Sequence, residues 1–426
     1  MSTPGLDLPQ YHVQPTAALT RFLRARLLAQ LRDLPEASIE LDDSLGRQQL
    51  GRGGADAPRA RIEVLDTSFY WRIATAGSIG AGEAYMDGLW RSDDLVALLR
   101  MLVRSRDRLD AIDSGSARAA GLALRMWHAL QRNTRSGSQR NVAAHYDLGN
   151  ALFELFLSPD MMYSSAIFAR ADETLESASR RKLDRICRKL DLQPGDRLLE
   201  IGTGWGGFAM HAAREYGCRV TTATISREQH EFARARIAAA GLTDRIEVLL
   251  ADYRDLGGHY DKLVSIEMVE AIGHQYLDLY FQRITALLEP HGAALVQAIT
   301  IEDRRYAKAL REVDFIKRHI FPGSFIPSVG ALSGAIARAG DLRLVNLEDI
   351  GPSYALTLQA WRERFLQRLS EVRALGYDGR FARMWEFYLA YCEAGFREQA
   401  LGDVQLLLHR ARTPAAPWLP QAADAT

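Results

Sequence analysis

Apolar positions follow two rhythms along this chain of 426 residues. In its second half, short apolar runs alternate with longer stretches of helical spacing. Leu198–Ile201, Val220–Ile225, Ile246–Leu250, Lys262–Ile266 and Ala293–Ile299 are too short and too continuously apolar for surface helices, so they predict buried strands. Phe208–Tyr216, Arg227–Ala240 and Tyr276–Leu288 carry apolar residues three and four apart and predict the intervening helices. Such alternation predicts an α/β class chain with a doubly wound, Rossmann-like parallel sheet. From Asp341 onward the pattern predicts one more strand, a long aromatic-rich helical stretch, and a last strand near Val404–Leu408.

The first third reads differently. Ala17 to Leu31 predicts a helix with Leu19, Phe22, Leu23 and Leu27 near one face. Gly46 to Pro58 is rich in glycine and polar residues and predicts a loop. Arg61–Leu65 and Phe69–Thr75 predict short strands, and Asp93 to about Arg106 a helix. Gln131–Arg140 has almost no apolar content and predicts a linker. The expected organisation is a smaller, mostly helical N-terminal domain over 1–130, a linker over 131–141, and the doubly wound domain over 142–415.

Composition narrows the class. Aliphatic and aromatic residues make up 47% and charged residues 25%, an ordinary globular balance. Fifty-three basic residues offset 53 acidic ones, so no net charge draws the chain to nucleic acid. Cys187, Cys218 and Cys392 are scattered and form neither a disulfide framework nor a metal set. The N-terminus lacks a signal pattern, and no apolar run approaches the roughly 18 residues of a membrane span. These features predict a cytoplasmic protein that meets any lipid from the water side.

The most informative stretch is Arg197-Leu-Leu-Glu-Ile-Gly-Thr-Gly-Trp-Gly-Gly207, a strand, a glycine turn and a helix start. Glycines allow close backbone approach, and the helix offers free N–H groups to a ligand. Gly202, Gly204 and Gly207 also satisfy the dinucleotide fingerprint. A dinucleotide site, however, wants an acid after the second strand, where this chain has Thr224, Ser226 and Gln229. Glu200, just before the first glycine, can instead hold a cationic ammonium. S-adenosylmethionine, with its amino-acid end and sulfonium, suits Glu200 better than NAD or FAD.

Three further constellations accompany the turn. His145-Tyr-Asp-Leu-Gly-Asn150 precedes Met162-Tyr-Ser-Ser165; read alone, it is as compatible with a helix start capped by Asp147 or Asn150. Ser265-Ile-Glu-Met-Val-Glu-Ala-Ile-Gly273 ends the fourth strand, which places Glu267 and Glu270 at the ligand crevice unless they are solvated helix-start acids. Tyr354, Trp361, Phe381, Trp385, Phe387, Tyr388, Tyr391 and Phe396 are either core or the walls of an acyl slot.

Taken in order, these motifs resemble the cyclopropane-fatty-acyl-phospholipid synthases. So do Thr224–Gln229, Asp252-Tyr-Arg-Asp255, Ile320-Phe-Pro-Gly323, Pro327-Ser328, Ala360-Trp-Arg-Glu-Arg-Phe365 and, near the N-terminus, Gly82-Glu-Ala-Tyr-Met-Asp-Gly88. Mycolic acid cyclopropane synthases share the second domain. The resemblance implies transfer of the methyl of S-adenosylmethionine to the double bond of an unsaturated acyl chain of a membrane phospholipid. Proton loss from the resulting carbocation then closes a cyclopropane ring. It implies that Tyr163 and Ser164 touch the cofactor, that Gly202, Gly204 and Trp205 line its methionine end, that Thr224, Ile225 and Gln229 hold the ribose, and that Asp252 and Tyr253 meet the adenine. It also implies a bicarbonate base caged by residues at the positions of Ser165, Glu270, Gln297, the Ile299 amide and Tyr354.

This chain departs from the family at two cage positions. Ser165 stands for a cysteine and Gln297 for a histidine; both can donate hydrogen bonds, but neither brings the charge of an imidazolium. The departures leave bicarbonate open, and with it the product: a branched acyl chain without ring closure is the alternative. The N-terminal domain is implied to position lipid at the inner face of the membrane and to support a homodimer. Arg100, Arg104, Arg106 and Arg108 are either a phosphate-seeking run or a solvated helix face. A methyltransferase of small soluble substrates and a lipid-binding protein with a dead site are the competing readings.

Overall fold

The computed structural model describes residues 16–54, 57–111 and 148–413. The predicted linker and His145–Asp147 lie outside the described residues. Two sheets organise the rest.

The N-terminal sheet runs β2-β1-β3-β4, with β1 Ser38–Asp42, β2 Gln48–Leu50, β3 Arg59–Val64 and β4 Trp90–Ser92. Helices Ala17–Arg32, Ser68–Met86 and Leu95–Arg104 carry most of the regular structure of this unit. Two local expectations change. Gly46–Pro58 is not all loop: Leu50 is buried and pairs with Ile39, which recruits Gln48–Leu50 as an edge strand. Phe69–Thr75 is not a strand but the first half of a helix. Its apolar residues Phe69, Tyr70, Ile73 and Ala74 also fit a helical face, and a short apolar run cannot distinguish the two periods. Asp66, accepting from the Ser68 N–H at 2.8 Å, secures the helix start.

The second sheet has seven strands in the order β10-β11-β9-β8-β5-β6-β7. Its parallel part is β5 Arg197–Ile201, β6 Arg219–Thr224, β7 Ile246–Leu250, β8 Tyr260–Ile266 and β9 Leu288–Ile301. Strand β11, Leu401–His409, runs antiparallel between β9 and β10, Arg343–Asp349. The predicted strands are thus found, with β10 and β11 as the tail pair. From β5 the chain steps outward to β6 and β7, and from β8 to β9 on the other side. The crevice of such a sheet opens where the order reverses, at the carboxyl ends of β5 and β8. Those ends carry Gly202 and Glu267.

The N-terminal unit packs on the aromatic helix Gly379–Arg397. At Gly82 a side chain would sit 2.5 Å from Phe315 and 3.0 Å from Phe387, so glycine is what permits this close approach. Around it, the Tyr85 hydroxyl donates to Glu386 at 2.9 Å and Arg383 donates to the Met86 carbonyl at 2.7 Å. The Gly82–Gly88 segment is therefore a docking surface inside the fold. The arginine run finds its partners within the chain, although Arg104 and Arg108 stay exposed. Arg100 and Arg104 both pair with Glu398, Arg106 with Glu302, and Arg108 donates to the Asp33 carbonyl. These charges are matched within the chain.

Candidate active site

Strand β5 delivers Glu200 and then the turn. Gly204 has φ +51°, a region costly for other residues, and a side chain there would meet nothing within 4 Å. The turn therefore faces open space beside the free N–H groups of helix Gly207–Glu215. Glu200 is buried and accepts from Thr222 Oγ1 at 2.6 Å. Burial pushes its carboxyl up to about 8, against the pull of that hydrogen bond and of nearby Lys182. A buried acid so raised gains its charge when a cation arrives. The open turn and the waiting acid both fit the amino-acid end of S-adenosylmethionine.

The other residues expected to hold the cofactor surround this point. Trp205 is buried, its indole donating to Asn150 at 2.6 Å and its ring 4.9 Å from Phe153. Asn150 thus opens a short helix but serves the turn rather than a cap. Thr224 and Gln229 are joined by a 2.8 Å hydrogen bond at the end of β6, with Ile225 half-buried beside them. At the end of β7, Asp252 is gripped by Arg254 at 2.6 and 2.8 Å, and the Tyr253 ring lies 5.6 Å from Tyr280. Ser164 accepts from the Lys182 ammonium at 2.8 Å. Lys182 is wholly buried, and burial lowers its pKa while Glu267, Asp160, Asp403 and Glu200 pull it back up. Nothing in the sequence pattern marks this lysine, which sits mid-helix in Leu175–Lys189.

At the ends of β8 and β9 the hydrogen-bond donors divide between Glu267 and Glu270. Glu267 Oε1 accepts from the Ser165 backbone N–H and from Gln297 Nε2, each at 2.8 Å, and Oε2 accepts from the Tyr354 hydroxyl at 2.7 Å. Three of the five positions read as a cage thus converge on Glu267. The Ser165 hydroxyl is not among the donors; it bonds the Ala166 carbonyl. The Ile299 N–H does go to Glu270, at 2.6 Å, while Glu270 Oε2 is buried with no hydrogen-bond partner among the described residues.

The pairing of β9 with β11 sets this geometry. Gln297 lies opposite Gln405, which donates to its amide oxygen at 3.1 Å. That bond turns the Gln297 NH2 toward Glu267 and toward Asp403 Oδ2, 3.0 Å away. Asp403 is fully buried, and burial plus repulsion from Glu267 holds its carboxyl well above the usual range. Burial and Glu267 together push Glu270 up to about 8. Burial also raises Glu267, but Ser165, Tyr354, Lys182 and Gln297 all favour its charged form. Of the three acids, Glu267 accepts the most hydrogen bonds among the described residues. Its backbone is strained, with φ +48°, which costs roughly 1–3 kcal/mol for a residue other than glycine.

Aromatic rings wall this side. Tyr163, expected at the cofactor, lies 5.2 Å from Phe153 and from Trp361, and its hydroxyl is 2.7 Å from that of Tyr388. Tyr354 stacks on Phe396 at 4.4 Å. Trp361, Phe365 and Trp385 are buried and join the same cluster. The arrangement offers an electrophile site at a turn, half-buried and buried acids next to it, and ring faces able to stabilise a cation.

Residues 133–406 match the family model described as mycolic acid cyclopropane synthetase. The chain is 41% identical to the tuberculostearic acid methyltransferase of Mycobacterium tuberculosis, over 80% of this chain and 81% of the relative. It is 37% identical to the cyclopropane-fatty-acyl-phospholipid synthase of Escherichia coli, over 88% of this chain and 94% of that one. Among solved structures, a mycolic acid cyclopropane synthase complexed with SAH and CTAB aligns with a TM-score of 0.60 at 31% identity, over 64% of this chain and 98% of its own.

Proposed function

The chain belongs to the mycolic acid cyclopropane synthetase family and is an S-adenosylmethionine-dependent lipid methyltransferase, and from that premise we propose that it methylates the double bond of an unsaturated phospholipid acyl chain and closes a cyclopropane ring there. The observation that carries the reading is the set of acids, half-buried Glu267 and Glu270 and buried Asp403, beside the open glycine turn and under aromatic walls. S-adenosylmethionine supplies an electrophilic methyl when bound at the turn. An alkene is a weak nucleophile, so the chain's main task is alignment in a dry site.

In this reading Glu200 meets the cofactor's ammonium, and Gly202, Gly204 and Trp205 line its methionine end. Thr224, Ile225 and Gln229 hold the ribose, and Tyr253 faces the adenine, with Asp252 oriented by Arg254. Tyr163, Trp361 and Tyr388 flank the acyl chain, where their faces stabilise positive charge on carbon. A buried carboxylate then accepts the proton.

A second reading is a methyl- or methylene-branched product without ring closure. It is favoured by the 41% identical relative, whose name records a tuberculostearic acid methyltransferase rather than a cyclopropane synthase. Incubation with methyl-labelled S-adenosylmethionine and vesicles of unsaturated phospholipid, followed by NMR of the acyl chains, decides. Upfield ring protons are expected. A labelled branch without ring protons establishes the second reading, and no label in lipid overturns both.

A further inference from the structure

Glu267 sits where the donors of this site point. The Ser165 N–H, the Gln297 amide and the Tyr354 hydroxyl come from three separate segments, and all end on its carboxylate at 2.7 to 2.8 Å. Donors arranged this way solvate a negative charge in a low-dielectric interior. The Gln405-to-Gln297 bond fixes the amide in the donating orientation, and buried Lys182 adds positive potential. A glutamate also holds this position at the expense of a left-handed backbone, which glycine would adopt freely. Strained, fully solvated anions of this kind gather at sites of chemistry.

We infer that Glu267 is the resident proton acceptor of the reaction, so that this chain needs no bound bicarbonate. The inference rests on the proposed acyl-chain methylation. Once the methyl is on the chain, the neighbouring carbon carries one positive charge. One proton leaves the new methyl, its C–H bonding pair becomes the third ring bond, and the Glu267 carboxylate becomes a carboxylic acid. Glu267 then returns that proton to water. Charge balances, and no co-reactant beyond the methyl donor is consumed. Glu270, hydrogen-bonded through Oε1 alone among the described residues and raised to about 8, remains the neutral neighbour that keeps a second negative charge from the acceptor.

Glu267→Gly tests this, because glycine adopts the φ of +48° freely and so offsets part of the cost of leaving the Ser165, Gln297 and Tyr354 donors without their acceptor. The variant should stay folded, read by circular dichroism, and bind S-adenosylmethionine normally. Its turnover in buffer stripped of carbon dioxide should fall about 10²–10⁴-fold, the usual worth of a positioned base. Added bicarbonate or formate should restore part of that loss by filling the vacated cage. Wild-type turnover should be indifferent to bicarbonate. Calorimetry of bicarbonate on resting protein supplies a readout independent of turnover: binding to Glu267→Gly, none to wild type. Wild type that binds or requires bicarbonate, or a Glu267→Gly variant that stays fully active without it, overturns the inference. The expected calorimetric pattern in a wild type that labels no lipid would support the anion placement and overturn the acyl-chain reading instead.

Discussion

At the carboxyl end of β5 the elements expected to recognise the cofactor are neighbours: Glu200, Gly202, Gly204 and Trp205 fall within one turn of chain. At the end of β8, one strand over, Glu267 is held by residues 102, 30 and 87 positions away. The first region works mainly through backbone and open space, the second through buried side chains whose charges depend on one another. A local site tolerates little change at few positions. A dispersed site spreads the burden, so single changes there should alter rate without altering binding.

The sharpest way to break the contrast is Gly204→Val. A β-branched residue at φ +51° cannot adopt the turn, so cofactor affinity should weaken about 100-fold or more, read by calorimetry. Unchanged affinity would remove the turn from the cofactor site. Tyr354→Phe deletes one donor to Glu267. It should cost roughly 10–100-fold in turnover, the range for a hydrogen bond to a charged group, with the cofactor dissociation constant unchanged. A loss of binding instead would mean the two regions are not separable.

Glu270→Gln should cost only about 10-fold, because the amide keeps the acceptor for Ile299 N–H and mimics the neutral acid. A loss as deep as that expected for Glu267→Gly would transfer the role of base to Glu270. The smallest effect concerns pH. In the folded chain Glu200 keeps its proton up to about 8, whereas an unfolded chain releases it near 4.5. Between those values the unfolded state binds fewer protons, so stability of the cofactor-free protein falls as pH rises. Glu200→Gln removes that contribution, and its melting temperature should decline less steeply across the window. Identical slopes would mean Glu200 is ionised in the cofactor-free fold.

The same contrast explains what the sequence could reveal. The parallel strands and the glycine turn were legible because their signals are contiguous: apolar runs, then glycines before a helix. Glu270, Tyr354, Ser165, Gln297 and the Ile299 amide could be carried over by resemblance as one cage, and the structure brings all five into one neighbourhood. Which carboxylate they serve was not legible. The answer depends on β9–β11 register, which sets Gln297 opposite Gln405, and on the left-handed turn at Glu267. Lys182 is not legible because a lysine within an amphipathic helix carries no sign that it points inward. Phe69–Thr75 failed for the opposite reason: its apolar run satisfies two periods, and packing chose between them.

Gly82 ties the N-terminal unit to the aromatic helix thermodynamically. Phe387 packs against it, and the next residue, Tyr388, contacts Tyr163 in the wall of the reaction side. The core that covers Tyr85, Trp90 and Leu98 is continuous with the one that covers Trp361 and Trp385. Melting the first hundred residues alone would strip a face of the aromatic helix. The two units share that core, so heat should take both apart in a single cooperative transition.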